Sequence, residues 1–173
     1  MSFDDFLALL NDRLPGAVAS SSAETRDPFV VIDVGQLHTT LQLLRDDSQT
    51  QMDTLSNLCG VDYLEPDAKI AKKFPYEPAL EVVYHLHSLS RHHRLTVKVR
   101  LPRPAEDEQP ELPSVTDLWS AANWHERECF DLYGVCFVGH PGLTRILCPD
   151  DWIGHPLRKD YEQPLEYENI RGR

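Results

Sequence analysis

An α+β fold is what this 173-residue sequence predicts. Three observations carry it: an apolar helical face near the start, a long strand-like alternation before residue 102, and two helix-start patterns ahead of Trp124. Ser2 and Asp5 form a capping-box pattern, and Phe3, Phe6, Leu7, Leu10 and Leu14 then share one helical face that Gly16 can stop. Residues 19–27 are polar and read as a loop. Phe29 to Val34 is an apolar, β-branched run between Pro28 and Gly35, the signature of a strand. A helix from about Leu37 to Arg45 follows, with Leu37, Leu41 and Leu44 on one side.

Leu55 to Leu64 is a weaker apolar segment, and Pro66, Pro75 and Pro78 are expected to keep the next stretch out of regular structure. From Leu80 to Leu101 the pattern is a long hairpin. Leu95, Val97, Val99 and Leu101 alternate with Thr96, Lys98 and Arg100, so one face is wet, and the more apolar partner strand from Glu81 to Leu89 reads as central. Ser90 to His93 supplies the turn, with His92 and His93 solvated. His85 and His87 share a face that a neighbour covers more readily than a metal does.

Residues 102–114 hold four prolines and four acids and read as an exposed loop. Ser114 with Asp117, then Asn123 with Glu126, are capping-box patterns that favour a short helix at 115–121 and a second at 124–133, ended by Gly134. One continuous helix would instead put the Glu126 carboxylate among Leu118, Ala122, Cys129 and Tyr133, where it would need a partner. The two-helix reading lets Glu126 reach back to a free backbone N–H. Val135 to Val138 is a short strand. Residues 1–155 form one domain, and residues 156–173, with Pro156, Pro164 and mixed charge, an extended C-terminal arm.

The formal charge of −11 argues against nucleic acid and against an anionic membrane surface, both of which attract clustered Lys and Arg. The start, MSFDDFLALL, lacks the basic lead and long apolar stretch of a secretory signal, and no apolar run approaches the ~18 residues of a membrane span. Four well-spaced cysteines (Cys59, Cys129, Cys136, Cys148) suit reduced thiols in a reducing compartment, so a soluble cytoplasmic chain is expected.

Chemistry concentrates between Trp124 and Tyr161, yet that stretch holds no catalytic arrangement. It lacks Cys-x-x-Cys, a nucleophile elbow and a phosphate-cradling glycine loop. The competing reading is a metal-dependent enzyme using His140, Cys148 and His155. Two Gly-His-Pro copies stand at 139–141 and 154–156. On the helix, Glu126, Cys129, Phe130 and Tyr133 face one way, while Trp124, Arg127, Glu128 and Asp131 spread around the other. A tryptophan beside an arginine and two acids outside the core is the composition of an interface hot spot. Arg145, Arg158 and Lys159 stand out in so acidic a chain. They can bridge carboxylates of a neighbour or pair with Glu126, Glu128 or Asp131 inside the chain. A free-standing binding module is the remaining alternative.

A specific set of residues carries a family resemblance. Glu126-Arg127-Glu128, Asp131, Gly134, Phe137, His140-Pro141, Leu143, Arg145-Ile146-Leu147 and the run Gly154 to Tyr161 occur in order. Upstream stand Gly60-Val61-Asp62-Tyr63, the hairpin and Pro113 to Trp119. From about Leu55 to Tyr161 the chain resembles the 30-kDa subunit, or C subunit, of NADH:quinone oxidoreductase (respiratory complex I). One departure is Thr144, where the family often has a second basic residue. The resemblance implies a two-layer α+β sandwich with a mixed β-sheet and helices packed on one face. It also implies a peripheral-arm subunit that holds no cofactor, with iron–sulfur clusters, FMN and quinone carried by partner subunits. Subunits D, B and I would be its neighbours, on the cytoplasmic face of the inner (plasma) membrane, without direct membrane insertion and without activity of its own. A related ferredoxin-fed quinone oxidoreductase or membrane hydrogenase complex is the alternative setting. The candidate interface is Trp124, Arg127, Glu128, Asp131, His140, Arg145, His155, Arg158, Lys159, Asp160 and Tyr161.

Overall fold

A computed structural model describes residues 1–73, 75–103, 108–168 and 170–171. Helix α1 (Phe3–Arg13) opens with the expected box: Ser2 Oγ accepts from Asp5 N at 3.2 Å while Ser2 N donates to Asp5 Oδ2 at 2.7 Å. Strands β1 (Val18–Ser22) and β2 (Phe29–Ile32) precede a 3₁₀ turn and α2 (Leu37–Asp46). Then come β3 (Thr54–Tyr63), a single-turn α3 (Ala68–Ala71), β4 (Ala79–Ser88) and β5 (His93–Pro102). After residue 108 follow β6 (Glu111–Pro113), α4 (Ala122–Tyr133), β7 (Cys136–Val138) and a terminal hairpin of β8 (Glu166–Tyr167) and β9 (Ile170–Arg171).

The main sheet has the order β1-β2-β5-β4-β3. Its β2–β5 pairing is parallel and the others antiparallel, so the sheet is mixed and β4 lies inside it, as its apolar sequence predicts. Register sets two opposite faces. Leu80, Val82, Tyr84 and Leu86 stand opposite Leu101, Val99, Val97 and Leu95, and this face forms the core with Phe6, Leu10, Leu37, Leu41, Leu44 and Cys129 of the helices. Glu81, Val83 and His85, paired with Arg100, Lys98 and Thr96, lie on the other face. The fold is thus an α+β domain with a mixed sheet and helices on one side of it.

Several expectations are corrected. Part of the predicted 19–27 loop is β1, a serine-rich edge strand whose Ser20, Ser21 and Ser22 pair with Val31, Val30 and Phe29. The weak segment before Leu64 is a full strand, β3. Its inward positions are Leu58, Gly60 and Asp62, which hides the apolar alternation. Among the three prolines α3 forms one turn, capped where Asp67 Oδ1 accepts from Lys69 N. Within the supposed loop 102–114, β6 runs parallel to β7 and buries Leu112 beside Phe137; residues 104–107 lie outside the described ones. His93 is not a solvated turn residue. It begins β5, its Nε2–H donates to Thr50 O at 2.6 Å, and its ring meets Phe6 edge-on at 5.1 Å.

No helix forms at 115–121. Val115 O accepts from both Leu118 N and Trp119 N in successive turns, and Trp119 anchors them by donating from Nε1 to Met52 O at 3.1 Å. Helix α4 starts at Ala122 without a side-chain cap, so Asn123 and Glu126 form no capping box. Gly134 ends it in the left-handed region, φ 72°, with its N–H on Phe130 O.

Candidate docking surface

Helix α4 lies along β3 because β3 makes room for it. A Cβ at Gly60 would stand 2.5 Å from the Tyr133 ring, so the aromatic rests directly on the strand's backbone. One face of α4 carries Glu126, which is wholly buried and not capping. Its two oxygens accept from Val115 N and Ser114 Oγ, each at 2.7 Å. Burial pushes its pKa up to about 7 against the opposing pull of those two donors. The carboxylate joins α4 to the β6 end.

The sequence placed Asp131 outside the core; the structure buries it completely. Oδ2 accepts three consecutive backbone N–H groups, from Ile146 (3.0 Å), Leu147 (2.7 Å) and Cys148 (2.9 Å). Oδ1 takes Arg145 Nη1 at 2.8 Å. Burial opposes ionisation here, but the three N–H groups and Arg145 overcome it and bring the pKa to about 2. Arg145 therefore pairs inside the chain, and its Nη2 also donates to Gly154 O at 3.1 Å. His155 joins the cluster, its Nδ1–H donating to Asp131 O at 3.0 Å, with burial and the nearby Arg158 and Arg145 lowering its pKa.

The second basic group ties the loop to the sheet. Arg158 Nε donates to Tyr133 O at 2.7 Å, and Leu157 N to Leu132 O at 3.1 Å. Lys159 N reaches Asp62 Oδ2 at 2.8 Å while its side chain stays in solvent. Arg103 bridges Asp62 and Asp160. Tyr161, whose hydroxyl is buried without a partner among the described residues, packs beside Gly154. Asp62 and Arg103 thus join the site, and the only sequence signal for either is the place of Asp62 in the Gly60–Tyr63 motif.

The remaining expected residues lie toward the other end. Arg127 donates from Nε to Thr144 O (3.1 Å) and from Nη2 to Thr144 Oγ1 (3.0 Å), and its guanidinium lies 4.9 Å from the Trp124 ring centre. The departure at Thr144 thus supplies an acceptor for Arg127. His140 Nε2–H donates to Asn123 O at 3.2 Å and its Nδ1 accepts from Gly142 N at 2.9 Å, which fixes the tautomer. Glu128 is exposed and makes no hydrogen bond or ion pair among the described residues.

These polar groups hold backbone, and around them apolar side chains point outward. Trp124 is 61% exposed, Leu147 62%, Ile153 88% and Leu165 80%. Sequence periodicity missed the last three because they lie in a loop without a period. Among the described residues no group of three or more His, Cys, Asp and Glu could hold a metal ion. Cys129 is buried, with its thiol pKa pushed far up by that burial. Fold and surface together define an α+β domain whose polar side chains shape a loop and leave apolar ones exposed.

Comparison with known proteins gives the family. Residues 30–167 match the respiratory-chain NADH dehydrogenase 30 Kd subunit, and the chain belongs to this family. It is similar to the C subunit of the NADH-quinone oxidoreductase of Roseiflexus castenholzii, 44% identical over 164 residues, covering 95% of this chain and 85% of that protein. The C subunit from Hyphomonas neptunium is 38% identical over 167 residues, covering 96% and 75%. Among solved structures, a trypsin-resistant fragment of Nqo5 matches with a TM-score of 0.56 and 32% identity, over 69% of this chain and 85% of the fragment. A chain of an archaeal membrane-bound sulfane sulfur reductase shares the fold, with a TM-score of 0.62 at 21% identity over 92% of this chain and 85% of that one. The resemblance read from residues 55–161 is thus a family relationship, and the chain is a 30-kDa-type subunit of an NADH-quinone oxidoreductase.

Proposed function

We propose that this chain is a cofactor-free scaffold in the peripheral arm of its complex, holding three neighbours in register. These are subunits D, B and I, the first bearing the quinone site and the other two the clusters. Iron–sulfur clusters, FMN and quinone belong to those partners and their neighbours, and the isolated chain transfers no electrons from NADH. It lies on the cytoplasmic face of the membrane; no helix among the described residues is long and apolar enough to cross one. One observation carries the reading. The buried carboxylate of Asp131 is saturated by Ile146, Leu147, Cys148 and Arg145, so this polar group serves architecture beneath the loop, while Leu147 and Ile153 project outward. Electron transfer and quinone access depend on how neighbours are held, so a subunit of this kind acts through geometry.

Purifying the native complex through a tag on this chain, with companions identified by mass spectrometry, tests the reading. Subunits D, B and I should be recovered together, and the isolated chain should carry no stoichiometric metal and show no NADH oxidation. Arg127→Ala and Arg158→Ala should lower the amount of assembled complex while turnover per assembled complex holds. Normal assembly with abolished turnover, or tight stoichiometric zinc or iron on the lone chain, would overturn it.

A further inference from the structure

The sheet face turned away from the helices carries a surface that the α4 side does not account for. A hollow of about 680 Å³ lies on it, and a second of about 480 Å³, sharing Asp27, His85 and Thr96 with the first, continues it past His87 and round the end of the sheet to Phe3 and Phe6 of α1. The floor of the first is apolar: Phe29, Val31, Val61 and Val83. Glu81, Val83, His85 and His87 mark its length along β4, and three two-residue steps at ~6.6 Å give a run of about 20 Å. That is a groove for a chain in extended conformation rather than a closed chamber for a small molecule.

Its charge is the reverse of the protein's. Against a formal −11 overall, the groove is lined by Arg26, Arg94, Lys98 and Arg100 but only two carboxylates. Both carboxylates are engaged. Asp27 faces Arg94 at 3.4 Å, and Glu81, only 3% exposed, takes Lys98 Nζ at 2.9 Å, Arg100 Nε at 3.5 Å and the Tyr63 hydroxyl at 3.1 Å. Arg100 lies over the Tyr63 ring at 5.4 Å and makes no other ion pair or hydrogen bond among the described residues, which leaves its guanidinium edge able to meet a further carboxylate. Lys98 is held in place over Phe29 at 4.0 Å.

We propose that this face is a second docking surface, filled by an extended segment of a neighbouring subunit that presents an Asp or Glu to Arg100 between apolar side chains. The proposal rests on the chain being a subunit of a larger complex, and the charge of the groove selects the occupant. An acidic segment gains a bidentate contact there, whereas a second copy of this acidic chain meets repulsion from its own net charge.

The test places the photo-cross-linker p-benzoylphenylalanine at Thr96, between the two hollows, in the tagged chain within the native complex. A cross-linked peptide from another subunit, carrying an acidic residue, is the expected product. Arg100→Glu should lower its yield by about tenfold with the same companions still recovered, and Arg100→Gln by less. Circular dichroism of each variant confirms the fold, and Arg100→Gln keeps the comparison if Arg100→Glu does not fold. A full set of companions with no cross-link, with a cross-link to a second copy, to a segment without acidic residues, or at a yield indifferent to Arg100→Glu overturns this proposal alone. Failure to recover any respiratory companion overturns it together with the scaffold reading.

Discussion

Glu126 on α4 and Ser114 ahead of it share a 2.7 Å hydrogen bond in a place from which solvent is excluded. The Glu126 pKa of about 7 lies above its ordinary 4.5, so the folded state binds the proton more tightly than the unfolded one. Stability from this group is therefore full below about pH 4.5 and is lost as pH rises through 7. Glu126→Gln keeps an acceptor for Val115 N and offers a donor to Ser114. It should equal the parent at pH 5 and exceed it by about 1–3 kcal/mol at pH 8 in urea unfolding. A constant difference across that range would refute the assignment.

Asp131 has the opposite sign. Its pKa of about 2 is depressed, so its contribution is present above the ordinary carboxylate value of 3.8 and disappears as pH falls through 2. Asp131→Ala orphans three N–H groups and the Arg145 guanidinium, and should cost about 3 kcal/mol at neutral pH. Amide exchange at Ile146, Leu147 and Cys148 should accelerate most. Unchanged exchange there would remove the carboxylate from its role.

Gly60 and Tyr133 make a packing prediction. Gly60→Ala places a methyl within the ring's contact distance and should destabilise the chain by about 2 kcal/mol. In a Tyr133→Leu background the same substitution should cost about 1 kcal/mol less, read from a double-mutant cycle. Additivity would show that the helix does not rest on that strand position.

Trp124→Ala separates folding from docking. With Trp124 61% exposed, the isolated variant chain should match the parent's stability within about 0.5 kcal/mol. Recovery of companion subunits should fall by about tenfold if the ring is an anchor. Equal recovery would make Trp124 a surface residue held only by Arg127.

The parts of this fold legible in the sequence are those whose period is set by burial alone. Helix α2 shows Leu37, Leu41 and Leu44 at helical spacing, and β5 alternates along its length. Strand β3 escaped because Gly60 and Asp62 occupy inward positions, one to receive Tyr133 and the other to bind Arg103 and Lys159 N; all three partners come from elsewhere in the chain. Strand β1 is a polar edge, recognisable only through its pairing with β2. The capping reading of Glu126 failed for the same kind of reason. A side chain can reach back along its own helix or across to another strand, and only tertiary packing decides. For the candidate surface, residue identities were readable but not their direction: nothing local tells Asp131, turned inward, from Glu128, turned outward.

Leu147 combines two properties seldom found in one loop residue. Its N–H makes the shortest of the three contacts to Asp131, 2.7 Å, while the residue is 62% exposed. The backbone beneath this apolar tip is thus already immobilised before any partner arrives. Association then freezes little further motion, so a modest contact area can yield a long-lived complex, and loosening the carboxylate would shorten its residence time before it altered the shape of the surface.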